Sequence, residues 1–185
     1  MPTIITHGIV SLAAGNVTNE RRRLFWLIAV CCSILPDADV IGYQLGIPYG
    51  SMFGHRGFSH SIVFTILLTL FVLSLFYRNI PTFTKRWWTL AVLFFFVSLS
   101  HPLLDAMTDG GYGVAFFAPF SNERYFFSFR PIHVAPLGVS RLFSHAGWRS
   151  ISSELVWVWI PCILLSVFVS ILRRRSYKRS SKLNN

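Results

Sequence analysis

Negative charge is scarce in this chain: 7 of its 185 residues are Asp or Glu, against 17 Lys or Arg, for a formal net charge of +10. Charge of either sign makes up only 13% of the residues, while 53% are hydrophobic. A soluble domain spreads charge over its surface, so a chain with long uncharged stretches must meet lipid over much of its own. Cysteine is sparse too. Cys31, Cys32 and Cys162 all sit in apolar segments without CxxC spacing, which argues against a zinc ribbon or a dithiol redox pair and leaves packing as their role. Internal repeats and low-complexity segments are missing. No basic segment opens the chain, and arginines follow the stretch around His7 where a cleavage site would stand, so no secretory signal is expected.

The basic excess has a characteristic placement. Arg21, Arg22 and Arg23, the loop carrying Arg78, Lys85 and Arg86, and the tail from Arg173 through Lys182 hold 12 of the 17 basic residues, each group beside an apolar run. That is the pattern of topology signals and lipid-headgroup contacts. No basic strand interleaved with aromatics and no Cys/His finger accompanies it, so no nucleic-acid partner is expected.

Residues 61–77 and 155–172 are each apolar enough to cross the roughly 30 Å hydrocarbon layer as helices. Residues 87–104 form a third span, entered through Lys85, Arg86, Trp87 and Trp88, a basic and aromatic pairing suited to a membrane interface. Residues 24–35 are apolar but short and stop at Pro36, and residues 4–14 are a weaker candidate ended by Gly15 and Asn16, so the two read as a helical hairpin inside the bundle. Residues 110–153, rich in Gly, Pro, Phe and Arg, read as an ordered cap or lid outside the membrane. The expected architecture is all-α: one membrane-embedded domain over residues 1–185, a polytopic transmembrane bundle of four to five helices, with a loop-rich cap and a basic tail at 173–185. The positive-inside rule places that tail in the cytoplasm. Arg56, Arg124, Arg130, Arg141 and Arg149 then lie on the opposite face, an excess that topology alone does not explain.

With that orientation, residues 24–35 run outward and deliver Asp37 and Asp39. The span at 61–77 starts outside, just after His55, Arg56 and His60, and the span at 87–104 ends outside with His101 and Asp105. His7 joins them if its segment packs antiparallel to the next. Separate segments thus present His and Asp at one depth, although nothing in the topology rule requires it. His101 and Asp105 are four apart and share a helix face, and Gly54 and Gly57 allow a turn around His55. Mixed imidazole and carboxylate donors suit zinc, manganese or iron, and two carboxylates in one short motif could bridge two ions. Plainer readings stand beside these. His7 could satisfy a backbone carbonyl, Asp37 and Asp39 could cap a turn, His101 and Asp105 could form a hydrogen-bonded pair, and His55 and His60 could belong to a polar interfacial turn. Four of the seven acidic residues (Asp37, Asp39, Asp105 and Asp109) fall in or next to these motifs, and ionisable groups near a membrane are costly unless used. Asp109 reads as a loop residue, His133 and His145 as surface histidines, and Glu154 as either a helix N-terminal carboxylate or a partner behind the ligands.

Four motifs recur in a recognisable order: Thr6-His7-Gly8, Leu35-Pro36-Asp37-Ala38-Asp39, Gly54-His55-Arg56-Gly57-Phe58-Ser59-His60-Ser61, and Ser100-His101-Pro102-Leu103-Leu104-Asp105-Ala106-Met107-Thr108. Over nearly the whole chain they resemble the YdjM family of bacterial inner-membrane proteins, described as metal-dependent hydrolases. Ser59 stands where that family usually has Thr, a change that keeps the hydroxyl. The resemblance implies an inner-membrane location, a hydrolase activity, and metal ligands drawn from His7, Asp37, Asp39, His55, His60, His101 and Asp105. The His-x-x-x-Asp element is also similar to that of zinc-dependent phospholipase C, a pointer toward phosphoester chemistry.

The resulting expectation is a membrane-bound hydrolase holding one or two divalent ions, zinc foremost, on the extracytoplasmic face. The metal would activate a water, Asp39 or Asp105 would act as base, and Arg56 would bind an anionic group of a phosphorylated or lipid substrate. The rival is a non-enzymatic metal-binding, sensing or transport protein. Transport would need polar residues continuing through the spans, and residues 61–77 and 155–172 offer only Ser, Thr and a Tyr.

Overall fold

The computed structural model describes residues 1–18, 20, 22–136 and 139–183, with the backbone alone for 139–140 and 176–183. Arg21 of the first basic cluster, Leu137 and Gly138 of the expected cap, and Asn184 and Asn185 of the tail lie outside the described residues. The described residues are helical throughout their regular parts, and their only β-pairings are two isolated bridges, Thr108 with Ile132 and Val114 with Tyr125.

Six α-helices follow in chain order: α1 (Ile4–Gly15), α2 (Arg23–Ile34), α3 (Ile62–Phe76), α4 (Lys85–Ala106), α5 (His145–Glu154) and α6 (Ile160–Leu183). A π turn at Leu155–Trp159 joins α5 and α6 without a break, so the pair forms one rod. Local chemistry sets several starts. Ser61 accepts a hydrogen bond from the Phe64 amide at the head of α3, Thr84 from that of Trp87 at the head of α4, and Ser144 from that of Gly147 at the head of α5.

Among the described residues, three helices are long and apolar enough to cross a membrane: Arg23–Tyr43, Lys85–Ala106 and His145–Arg175. The helices differ from the sequence expectation at three places. Pro36 does not end α2; it enters the first turn of a 3-10 segment at Leu35–Tyr43, where a missing amide costs nothing, and the combined helix reaches 21 residues. Residues 61–77, expected to span, form a helix of only 15 residues, about 22 Å at 1.5 Å per residue. Helix also begins at His145, inside the stretch expected to be irregular up to residue 153, because the Ser144 cap starts it there.

The apolar core lies between α2, α3 and α4, around Phe25, Ile28, Leu68, Val72, Phe94 and Val97. α1 packs on α2 as the expected hairpin, and α6 leans on α1. All the polar motifs gather at one end of this bundle, where α2 and α4 finish and α3 begins. Residues 107–136 fold over that end. The Ala115 amide donates to the Arg56 carbonyl, Ile62 to Phe116, and Phe127 to Ala106, so the irregular stretch is stitched to the helix ends it covers.

Candidate metal centre

The α4 end supplies His101 and Asp105, both fully buried, one turn apart on the inward face. The 3-10 segment after α2 supplies Asp37 and Asp39. The turn before α3 supplies His55, Arg56 and His60, and it is tight enough that Arg56 takes a positive φ of 62°. A non-glycine residue in the left-handed region is strained, and here many bonds hold it: its amide donates to Asp39, its carbonyl accepts from Ala115, and its guanidinium is fixed at three points.

Four atoms converge on one point: Nε2 of His60, Nε2 of His101, Oδ1 of Asp37 and Oδ2 of Asp105. The two nitrogens are 3.1 Å apart, Asp37 lies 3.3 Å from His101 and 3.6 Å from His60, and Asp105 lies 3.4 Å from His60. A tetrahedral ion with bonds of about 2.0–2.1 Å has ligand-to-ligand edges of about 3.3 Å; these four separations are of that size, and all four donor atoms lie within 4.8 Å of one another. The ring orientations agree. His101 Nδ1 lies 2.7 Å from the Ser33 carbonyl, which can only accept, so Nδ1 carries the proton and Nε2 presents its lone pair. His60 Nδ1 likewise faces the Asp39 carboxylate at 3.1 Å. Two imidazole nitrogens therefore face each other at 3.1 Å with their other nitrogens committed, a spacing that a shared proton or a metal ion could fill. Charge points the same way: Asp37 and Asp105 are buried and Asp39 nearly so, and among the described residues the only guanidinium paired with the three is that of Arg56, on Asp105.

A second trio, Asp39, His55 and His60, also has its donor atoms within 4.8 Å of one another. Its carboxylate is already engaged. Asp39 accepts from Ser59 at 2.5 Å, from His55 Nδ1 at 2.7 Å and from the Arg56 amide at 3.2 Å, besides facing His60. Desolvation alone would lower the His60 pKa; Asp105, Asp37 and Asp39 outweigh it and hold the ring protonated well above the usual histidine range when no metal competes.

His7 comes to the cluster but falls in neither donor group. Its ring stacks on that of His101, centroids 3.8 Å apart and planes 21° from parallel. Rings stacked face to face direct their nitrogen lone pairs along nearly parallel planes, so His7 does not join His101 in one donor set in this arrangement. Both His7 nitrogens are buried without a partner.

Arg56 does not face an open space. Nη1 donates to the Gly110 carbonyl at 2.9 Å, Nη2 to Thr108 at 3.1 Å, and Nε lies 3.0 Å from Asp105. Arg124 is spent similarly, on the carbonyls of His55, Tyr49 and Ser51. Two of the five unexplained arginines thus hold the site's loops together.

Sequence reading missed two further contacts. Asp109 and His133 pair at 2.6 Å on the exposed side of the loop layer; burial alone would raise the Asp109 pKa, but the bonds from His133 and the Val134 amide hold it below the usual range. Their separation of 24 residues left no local signal. Glu154 is fully buried and accepts from the Thr3 amide at 2.7 Å, from the hydroxyls of Thr3 and Thr6 at 2.5 Å, and from Ser150 at 3.0 Å, while Trp159 donates to Thr6. It ties the N-terminal segment to the α5–π junction and touches none of the clustered His and Asp residues.

Comparison with known proteins agrees with this architecture. A family model described as YdjM inner membrane protein matches residues 1–177. The chain belongs to the YdjM family. It is also 42% identical over 170 residues to the inner membrane protein YbcI of Escherichia coli (strain K12), covering 89% of this chain and 95% of that protein. No solved structure matches. As a YdjM-family inner membrane protein, the chain carries buried His and Asp groups that could hold a metal ion, at the end of the bundle opposite most of its basic residues.

Proposed function

We propose that this protein is a metal-dependent hydrolase of the inner membrane, acting on a phosphoester or similar anionic substrate from the extracytoplasmic side. The observation that carries it is the convergent set of His60, His101, Asp37 and Asp105 with both imidazoles held from behind. One divalent ion, zinc by donor type, fits that set, and when bound it would lower the pKa of a coordinated water and polarise the bond to be broken.

The remaining residues divide into holders and reactive groups. Ser33 and Asp39 orient His101 and His60, and Arg56 neutralises and positions Asp105 instead of meeting substrate. Asp39, with its oxygens committed, serves as the orienting partner of a His55 dyad. His55 gives Nδ1 to Asp39 at 2.7 Å and keeps Nε2 free of protein partners, so that nitrogen is available as a general base. His7, buried with two unpartnered nitrogens, is placed to hydrogen-bond whatever enters beside His101. A structural metal site would need neither of these extra imidazoles.

One observation favours the rival of a non-enzymatic metal-binding or sensing protein: four protein donors are close enough to bind one ion, whereas catalytic zinc usually keeps a position open. Hydrolysis would then require Asp105, already shared with Arg56, to yield its place. Metal content of detergent-purified protein, wild type beside Asp37→Ala/His101→Ala, comes first, followed by turnover of aryl phosphodiesters and phospholipids by the metal-loaded form. One ion per chain, lost in the double variant, together with turnover that His55→Gln abolishes while keeping the metal, supports the proposal. A bound ion without turnover on any of these esters gives the site to the rival, and no ion in the wild type refutes both.

A further inference from the structure

The seam between α1 and α6 opens into a groove of about 700 Å³ on the lipid-facing side of the bundle, away from the His/Asp cluster. Its walls are apolar, built from Ile9 and Leu12 of α1, Trp26 of α2, and Ile163 and Val167 of α6; Arg174 stands at one end. The polar groups on its floor are spent on each other, since the Asn16 side-chain amide donates to the Ser166 carbonyl and the Ser170 hydroxyl. Arg174 makes no ion pair among the described residues. Near it, Arg173 donates to the Val17 carbonyl, and Arg22 and Arg23 begin α2 at the same end of the bundle.

We propose that this groove is a resident binding site for one anionic phospholipid, its acyl chain lying along the α1–α6 seam and its phosphate on Arg174. Length supports this occupant. The lining runs from Cys162 to Arg174 along α6, 12 residues or about 18 Å, close to the roughly 15 Å depth of one leaflet's hydrocarbon. Charge supports it as well: an apolar channel that ends in an unpaired guanidinium within a basic cluster complements an amphiphile with an anionic head. A second copy of the chain fits less well, because a two-fold axis along the membrane normal would set the two basic ends side by side.

Native mass spectrometry of the full chain, released from detergent with added phosphatidylglycerol or phosphatidylcholine, tests this. Wild type should carry one phosphatidylglycerol and prefer it over phosphatidylcholine by about fivefold, the equivalent of roughly 1 kcal/mol for one arginine at the surface. Arg174→Gln should erase the preference, and Val167→Trp, which fills the groove, should lower occupancy by both lipids. Thermal melting equal to wild type would show that each variant is folded, and Ile163→Trp provides a second filling variant should Val167→Trp melt early. Unchanged lipid occupancy and preference in the folded variants would overturn the proposal. So would a two-chain species that a filling variant abolishes, because the groove would then be a protein seam.

Discussion

α4 and the rod formed by α5 and α6 are both apolar and long enough to cross a membrane, yet they live in different solvents. In the most apolar stretch of α4, 56% of the residues are buried inside the protein; in the rod formed by α5 and α6 the figure is 6%. α4 presents Phe94 and Val97 to the core and then, in its last two turns, His101 and Asp105 to the cluster. α6 shows Ile163, Leu164, Val167 and Phe168 to its surroundings, and the Glu154 network fastens the rod at one end. Burial in lipid asks only that a side chain be apolar, whereas burial in protein asks for a partner at every polar atom. The chemistry is therefore carried where the helix is enclosed, and the exposed helix is free to serve as wall and anchor.

The largest effect on the enclosed side should come from Arg56. Replacing it by Met leaves Asp105 buried without its guanidinium and frees a strained turn, for a loss of about 3–5 kcal/mol. Thermal melting in detergent should show a large drop, and a melting point equal to wild type would mean that the cluster does not need this cation. Asp39→Asn comes next. It keeps the volume but weakens the hold on His60 and His55, and metal affinity measured by competition with a chelating dye should fall about 10- to 100-fold. If Asp39 is instead a direct ligand, the ion should be lost outright.

Proton linkage gives a third, smaller effect. His60 has its folded-state pKa raised by three carboxylates, so a metal must displace a proton from it. Apparent affinity should then rise with pH by about tenfold per unit up to the folded pKa and flatten above it. The metal-free protein should respond with the opposite sign: the stabilisation from protonated His60 is complete below the unfolded histidine value and fades as pH rises through the raised one. A pH-independent affinity between pH 6 and 8 would place His60 outside the metal's ligands.

Much of this was legible in the sequence, and the parts that were not share a cause. His101 and Asp105 could be put on one helix face because their spacing of four is a local geometric fact. The gathering of Asp37, His60 and His101 followed from alternating helix directions. Pro36 was read as a stop because a proline ends a helix it interrupts, but at the first turn of a following segment it lacks nothing. The bonding partners of Arg56 and Asp39 were not legible for a different reason. Spacing puts a side chain near a centre without saying which of its atoms are already bonded, and the Gly110 carbonyl and Thr108 lie 54 and 52 residues from Arg56. His7 arrived beside the cluster as expected, yet stacked flat on His101, an orientation that no sequence pattern encodes.

The smallest effect should be found on α6, away from both the groove and the Glu154 network. Leu164 is 63% exposed and lines neither. In a bilayer or micelle its side chain meets hydrocarbon whether or not α6 is docked, so truncation removes little that folding had gained. Leu164→Ala should change thermal stability by no more than about 0.5 kcal/mol and leave metal content unaltered. A loss of about 2 kcal/mol or more would mean that this face is enclosed after all. Since the described residues offer nothing to enclose it, the cover would have to be another chain, and light scattering of the purified protein would then show a species larger than the monomer that Leu164→Ala dissociates. The contrast between the enclosed α4 and the bare α6 would in that case belong to the isolated chain alone.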